Sequence, residues 1–211
     1  MKLRDATFED WKFLLDLRND EGTKQNSFNQ EDINEDDHKN WLANSLENVN
    51  RRIRILYDSD TSTSVGMIRE DHQLPNNESK YPSVTLSWAI HSEYRGKGLG
   101  TKILRLATED RSESFYAEIK HENIASIKMT TNNGFKEMVS LEKTTHKTFK
   151  KRGPLEIISA IEHVRTANNV NWMDLCRLAF KYAPKEARAI MRRVNSHDNE
   201  ISDLLKELSS E

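Results

Sequence analysis

Apolar and polar positions along this chain change their period repeatedly, and each change marks a change of element. Residues Lys2 to Ala6 form a first predicted strand. Thr7 follows as an N-cap, with Glu9 and Asp10 suited to the positive end of a helix that carries Trp11, Leu14, Leu15 and Arg18 at helical spacing. NSFNQEDINEDDHKNW (Asn26 to Trp41) reads as a polar loop running into a second helix, with Trp41, Leu42, Ser45, Leu46 and Val49 along one side. The period then drops to two. RIRILY alternates as a half-buried strand does, SVGMIRED is its predicted neighbour, and Ser59 to Ser64 make the turn. HQLPNNESKYP, dense in turn formers, separates that strand from the apolar run SVTLSWAI.

Helix and strand alternate from there. A glycine-rich loop leads into a helix over Thr101 to Arg111, then the strand SFYAEIK, then a helix over Asn123 to Asn133. Gly134 suits the end of that helix, where left-handed geometry favours glycine. FKEMVSL and KTTHKTFK are predicted to close the sheet as a hairpin, which ends an α/β domain near residue 150. From KKRGPLEI onward no strand pattern follows. Three helical segments are predicted over Leu155–Thr166, Asn171–Tyr182 and Pro184–Leu208, with Pro184 in a first turn and Lys150 to Pro154 as a hinge. Residues 151–211 are thus expected to form a small all-helical C-terminal domain, with apolar stripes through Trp172, Leu175 and Leu178 and through Ile201, Leu204, Leu205 and Leu208. The tail is expected to pack on its own domain or on a second copy as a homodimer.

Composition narrows the function. The net charge is −2, from 32 basic and 34 acidic residues, which argues against general attraction to nucleic acid or membrane. Cys176 is the one cysteine, so no internal disulfide framework exists and a reducing compartment is expected. No apolar run approaches the roughly 20 residues that span a bilayer, and MKLRDATFEDW has no signal-peptide core. A cytoplasmic location is the expectation.

The chemistry concentrates in SEYRGKGLGTKIL, Ser92 to Leu104. Backbone N–H groups between a strand and a helix N-terminus make an anion cradle, and glycine serves where φ is positive or a ligand presses on the backbone. A P-loop needs lysine after its last glycine, but here Gly98 follows Lys97. A dinucleotide fingerprint fits poorly, with Thr101 at its third glycine and the loop in mid-domain. Arg95-x-x-Gly98-x-Gly100, followed by Asn123, Ser126, Gly134 and Phe135 in ENIASIKMTTNNGF, resembles the two motifs of the GCN5-related N-acetyltransferase family.

That resemblance covers residues 1–150 and implies a mixed, mostly antiparallel sheet flanked by helices. It implies acetyl-CoA as co-substrate and no metal. The backbone of Gly96, Lys97, Gly98, Leu99, Gly100 and Thr101 would hold the pyrophosphate, and Arg95 and Lys97 would complement its charge. Asn123 and Ser126 would contact the cofactor near its arm. His91 lies beside Ile90, near which an N–H would polarise the thioester carbonyl. Many family members place a tyrosine acid four residues before Gly-Phe, where this chain has Thr130. Cys176 is read as core rather than as a nucleophile, so direct attack in a ternary complex is expected.

For a base, Asp71 is the first expectation and Glu70 the second; Arg69 and Asp71 share one strand face and Glu70 the other. LRND, NSFN, HKNW and VGMIRED further resemble enzymes that acetylate amino groups on nucleotide-activated sugars. On that resemblance Arg18 and Arg69 would hold a diphosphate, and Asn19, Asn26 and Ser27 would read hydroxyls. Trp41 would stack on a ring or sit in the core, and His38 would reach the acceptor or stand at the surface. The acidic cluster Glu31, Asp32, Glu35, Asp36, Asp37 would suit a polyamine or a protein N-terminus instead. A non-catalytic acetyl-CoA-binding scaffold acting through the helical tail is the alternative of a different class.

Overall fold

Alternating apolar positions along short extended segments bury one face of a strand, and such segments form the centre of a seven-stranded sheet here. The computed structural model describes residues 1–75, 80–139 and 145–209. Its strands are β1 (Lys2–Asp5), β2 (Arg51–Tyr57), β3 (Ser64–Gln73), β4 (Ser83–Ile90), β5 (Ser114–Lys120), β6 (Lys136–Met138) and β7 (His146–Lys151). They form one sheet in the order β1-β2-β3-β4-β5-β7-β6. Every pairing is antiparallel except β4 with β5. That parallel ladder holds only Ser83 to Ser114, Val84 to Phe115 and Thr85 to Tyr116. Beyond it β4 goes on pairing with β3 as far as Ile90, and β5 with β7 as far as Lys120. The two strands therefore part in the middle of the sheet.

Helices cover both faces. α1 (Trp11–Asn19), α2 (Glu21–Asn26) and α3 (Glu35–Glu47) precede β2, while α4 (Leu99–Thr108) and α5 (Ile124–Asn132) flank β5 in the chain. Leu14 and Leu42 pack with Ile53 and Ile55 in one cluster. Ile103, Leu104 and Ala107 pack with Ile68, Val84 and Phe115 in the other. A fully buried leucine or isoleucine contributes about 1.5–3 kcal/mol, so these two layers carry the domain.

Two expectations change, and one helix is new. Asp20 accepts from the Thr23 N–H at 3.0 Å and caps α2, in a stretch to which no element was assigned. The buried stripe of α3 is His38, Leu42 and Ser45, whereas Leu46 and Val49 are exposed. Residues spaced by four and three share a helix face, and His38 supplies the first position of that face. The proposed hinge is also built into the domain. Lys150 and Lys151 lie in β7, and the Gly153 N–H donates to Ser114 Oγ at 3.0 Å. The predicted hairpin and the turn before β4 are described only in part, since residues 140–144 and 76–79 lie outside the described segments.

The chain divides into two compact units, Met1–Ile157 and Ile158–Glu211. The second is helical. It holds most of α6 (Pro154–Tyr182), which runs unbroken where two segments were predicted, and α7 (Pro184–Ser209). The Asn168-Asn169 pair lies inside a helix long enough to absorb its weak propensity. Trp172, Leu175, Ile201 and Leu204 are exposed, Ala187 is buried, and Cys176 is a half-buried free thiol rather than a core residue. No described helix is long and apolar enough to cross a membrane.

Candidate functional site

Where β4 and β5 part, a cavity of about 670 Å³ opens, lined by α1, α2, α3, β3, β4, β5, α5 and the glycine loop. Such a volume suits a small-molecule site. The His91 N–H donates to Val65 in β3 at 2.9 Å. Alternation along a strand then turns the N–H groups of Ile90 and Trp88 the other way, toward the gap. The edge facing the gap thus carries main-chain hydrogen-bonding groups with no strand beside them.

The glycine loop closes one end. Gly96 and Gly98 both have φ +74°, and neither would press a Cβ on anything within 4 Å, so backbone conformation alone requires glycine there. Gly98 is the N-cap of α4. The first-turn N–H groups of α4, at Leu99, Gly100 and Thr101, have no intrahelical acceptor and point out of the helix end. At Gly100 the neighbour is different: a Cβ there would meet the Met129 thioether of α5. Its missing side chain lets α4 and α5 approach.

Of the residues expected near the cofactor, Ile90, Arg95, Gly96, Gly98, Leu99, Gly100, Thr101, Asn123 and Ser126 line the cavity. His91 and Lys97 do not; His91 stands 5.9 Å from the Tyr94 ring and Lys97 lies over that ring. Asn123 has a structural task as well, because its Oδ1 accepts from the Ser126 N–H at 3.1 Å and caps α5. Arg95 differs most from expectation. Its guanidinium donates to the Ile90 carbonyl at 2.9 Å, to Thr23 Oγ1 at 3.0 Å, and to the Asp20 carboxylate. Burial alone would raise the Asp20 carboxyl, but the Arg95 and Thr23 hydrogen bonds outweigh it and hold the group below its ordinary range. Arg95 thus ties the loop to α2 rather than standing free to meet a phosphate.

The acceptor-side residues Arg18, Asn26, Ser27, His38, Trp41 and Arg69 line the same cavity. Asn19 does not. Its side-chain amide exchanges hydrogen bonds with the Ile33 backbone at 2.8 and 3.0 Å, pinning the loop before α3, so it is not placed to read a hydroxyl. Arg69 is held by Asp71 at 2.9 Å. Arg18 Nη2 donates to the Asn29 carbonyl at 2.8 Å, while its Nη1 is buried without a partner. His38 is buried, lies 5.2 Å from the Trp41 ring, and has an unpartnered Nε2.

Both expected carboxylate bases stand outside the cavity lining. Asp71 accepts from Arg51 at 2.5 Å and from Arg69, which spends its oxygens on guanidinium groups. Glu70 points to the opposite face, where it is fully buried against Arg54 and accepts from Arg111 at 2.6 Å. Strand alternation forces this outcome once Arg69 faces the cavity. Thr130 is also fully buried and off the lining; its neighbour Met129 takes the wall position. Sequence reasoning missed Tyr94, Thr23 and Glu118 on the wall. Glu118 belongs to β5, whose alternation gives a face but not what stands across the gap.

The acetyltransferase (GNAT) domain family matches residues 1–136. Among curated proteins, none matches the chain. Solved structures with the same fold include a ribosomal-protein-alanine N-acetyltransferase from Brucella melitensis, 22% identical with a TM-score of 0.56. The match covers 72% of this chain and 99% of that one. Spermidine N-acetyltransferase from Vibrio cholerae, solved with CoA and spermine, is 15% identical at a TM-score of 0.59, over 71% of this chain and 92% of that one. AAC(6')-Ib in complex with ribostamycin and coenzyme A is 16% identical at 0.60, over 73% and 93%.

Proposed function

This chain belongs to the GNAT acetyltransferase family, and from that premise we propose that its acceptor is the primary amine of a nucleotide-activated amino sugar. The enzyme is an acetyl-CoA-dependent N-acetyltransferase, and acetyl-CoA supplies the activated acyl carbon. In our reading, the left-handed glycine loop and the first-turn N–H groups of α4 receive the pyrophosphate. The pantetheine arm enters the gap between β4 and β5, where main-chain groups near Trp88 and Ile90 await a partner. The Ile90 N–H, on the gap side of the strand, polarises the thioester carbonyl. The amine attacks the thioester carbon directly, in a ternary complex.

The observation that carries the acceptor class is the Arg18 guanidinium, with its Nη1 buried and unpartnered on the cavity wall. A buried donor of this kind costs about 1–3 kcal/mol unless a ligand oxygen meets it. A diphosphate or sugar oxygen meets that need, whereas a polyamine would bring more positive charge. Arg69 lies on the same wall but is already paired with Asp71. The feature on the side of a polyamine or peptide amine is the Glu118 carboxylate.

Free-thiol release from acetyl-CoA separates these readings. The probes are a UDP-linked 4-amino sugar, spermidine and an alanine-initiated tetrapeptide. Turnover is expected with the UDP sugar and should collapse in Arg18→Ala. Spermidine or the peptide as best acceptor rejects the sugar-nucleotide reading. No thiol release with any probe, while acetyl-CoA still binds, supports the scaffold alternative. The helical tail, residues 151–211 in this proposal, is assigned no catalytic role, and pairing with a second copy remains its proposed use.

A further inference from the structure

Amine acetylation requires a group that takes protons from nitrogen, and the two carboxylates first considered do not reach the cavity. We propose that His38 is the general base, with its Nε2 accepting the proton from the acceptor nitrogen. The inference rests on the acetyltransferase reading above and assigns that site its missing proton acceptor.

Three observations converge on His38. The side chain is buried yet lines the cavity, so it meets whatever enters without standing in bulk water. Its Nε2 is buried and has no hydrogen-bond partner. The Trp11 backbone carbonyl draws the ring toward holding a proton. Since Nε2 is the unpartnered nitrogen, Nδ1 is the one left to carry the hydrogen, and a neutral ring in that tautomer leaves the Nε2 lone pair free. A buried lone pair in a ligand cavity is a costly feature unless a ligand proton satisfies it.

The charges around His38 keep it ready. Burial and then the nearby Arg18 charge push the imidazole below its ordinary range, against a smaller opposing pull from the Trp11 carbonyl. Arg18 lies on α1 and Arg69 on the neighbouring strand, the latter neutralised by Asp71. In the turn before α1, Asp10 is taken by Arg4, and at the start of β2 Arg51 is taken by Asp71. No carboxylate is among the groups that act on the ring, so none holds a proton on it. The base is therefore uncharged at neutral pH, as abstraction from an ammonium requires.

The step balances as follows. An ammonium acceptor gives its first proton to Nε2, which passes it to water. The freed nitrogen pair forms the C–N bond to the thioester carbonyl carbon. Nε2 takes the second proton as the C–S bond breaks, and the departing thiolate takes one proton from solvent. One proton is released per turnover.

The test uses full-length protein with His38→Gln and His38→Ala, and the three probes named above. Folding is checked by circular dichroism and acetyl-CoA binding by calorimetry. On whichever probe the wild type turns over, His38→Gln should lower kcat about 10²-fold or more, the scale of general base catalysis, while KM stays within about threefold by the same reasoning that ground-state contacts are kept. Added imidazole should restore part of the rate in His38→Ala, and the low-pH limb of the wild-type kcat profile should vanish. A His38→Gln rate close to wild type overturns the base and leaves the acetyltransferase reading standing. A wild type that acetylates none of the probes overturns both. If the variants do not fold, ¹⁵N NMR of the wild-type ring decides: Nε2 in its non-protonated form agrees with the assignment, and an Nε2–H tautomer rejects it.

Discussion

The Arg95 guanidinium, in the glycine loop before α4, is hydrogen-bonded to the Asp20 carboxylate, 75 residues earlier in the chain. Asp20 caps α2, and α2 forms part of the wall across the cavity. One ion pair therefore joins the two halves of the site. Both side chains are partly exposed, at 38% and 21%, so solvent screening limits its worth to about 0.5–1 kcal/mol. A double-mutant cycle of Asp20→Asn and Arg95→Gln, read by urea unfolding, should return a coupling of about that size. A coupling indistinguishable from zero would remove the pair as a structural tie.

The left-handed backbone at Gly98 is open to direct test. Gly98→Val puts a branched residue at φ +74°, where glycine alone rests without strain, and so shifts the backbone that aims the N–H groups of the α4 end. Acetyl-CoA affinity measured by calorimetry should fall tenfold or more, which is about 1.4 kcal/mol. Unchanged affinity in a folded variant would falsify the placement of the pyrophosphate.

Glu70 should matter for folding and not for chemistry. Its carboxylate is fully buried and faces the Arg54 and Arg111 guanidinium groups on the sheet face opposite the cavity. Glu70→Gln keeps the shape but leaves the buried Arg54 without its counter-charge, while Arg111 keeps Glu113, at a cost of about 3–5 kcal/mol. Chemical denaturation measures that loss directly. A stable Glu70→Gln that has lost its acetylation rate would place the residue in the reaction after all.

His38 also predicts how stability follows pH. Its folded-state pKa is depressed, so below the ordinary histidine value of 6.5 the unfolded chain takes up a proton that the native ring refuses. Stability should be unaffected by this group above pH 6.5. It should decline as pH falls from there toward the depressed native value. Thermal unfolding of wild type and His38→Gln across that window should show a steeper loss for the wild type. Parallel curves would mean that the ring is protonated without penalty.

The extent to which the site was legible before the structure follows from the range of each interaction. Arg95-x-x-Gly98-x-Gly100 is local, and local backbone geometry reads directly from glycine spacing. Strand alternation likewise separated Arg69 and Asp71 from Glu70. It did not say which face met the cavity, because that depends on which helices cover each side. The α3 stripe was misplaced for a related reason: apolar Leu46 and Val49 drew the packed face toward themselves, while a histidine occupied the buried position. The Asp20–Arg95 and Glu70–Arg111 pairs span long stretches of chain, and no periodicity carries such information.

The parting of β4 from β5 has a consequence beyond the reaction. A sheet interior normally satisfies both sides of each strand, but here Leu86 to Ile90 has a ladder on the β3 side alone. The protein is in that sense one rung short, and in the proposed reading a peptide-like ligand arm would serve as the missing rung. Its fold would then be completed by a metabolite, and the folded population would follow that metabolite's supply. At a ligand concentration one hundred times the dissociation constant, the gain is about 2.7 kcal/mol, a sizeable part of a typical domain's whole stability. Starved of acetyl-CoA, the chain would present this interior edge to other extended segments, its own copies included. The same opening that admits a substrate sets how long the enzyme lasts without one.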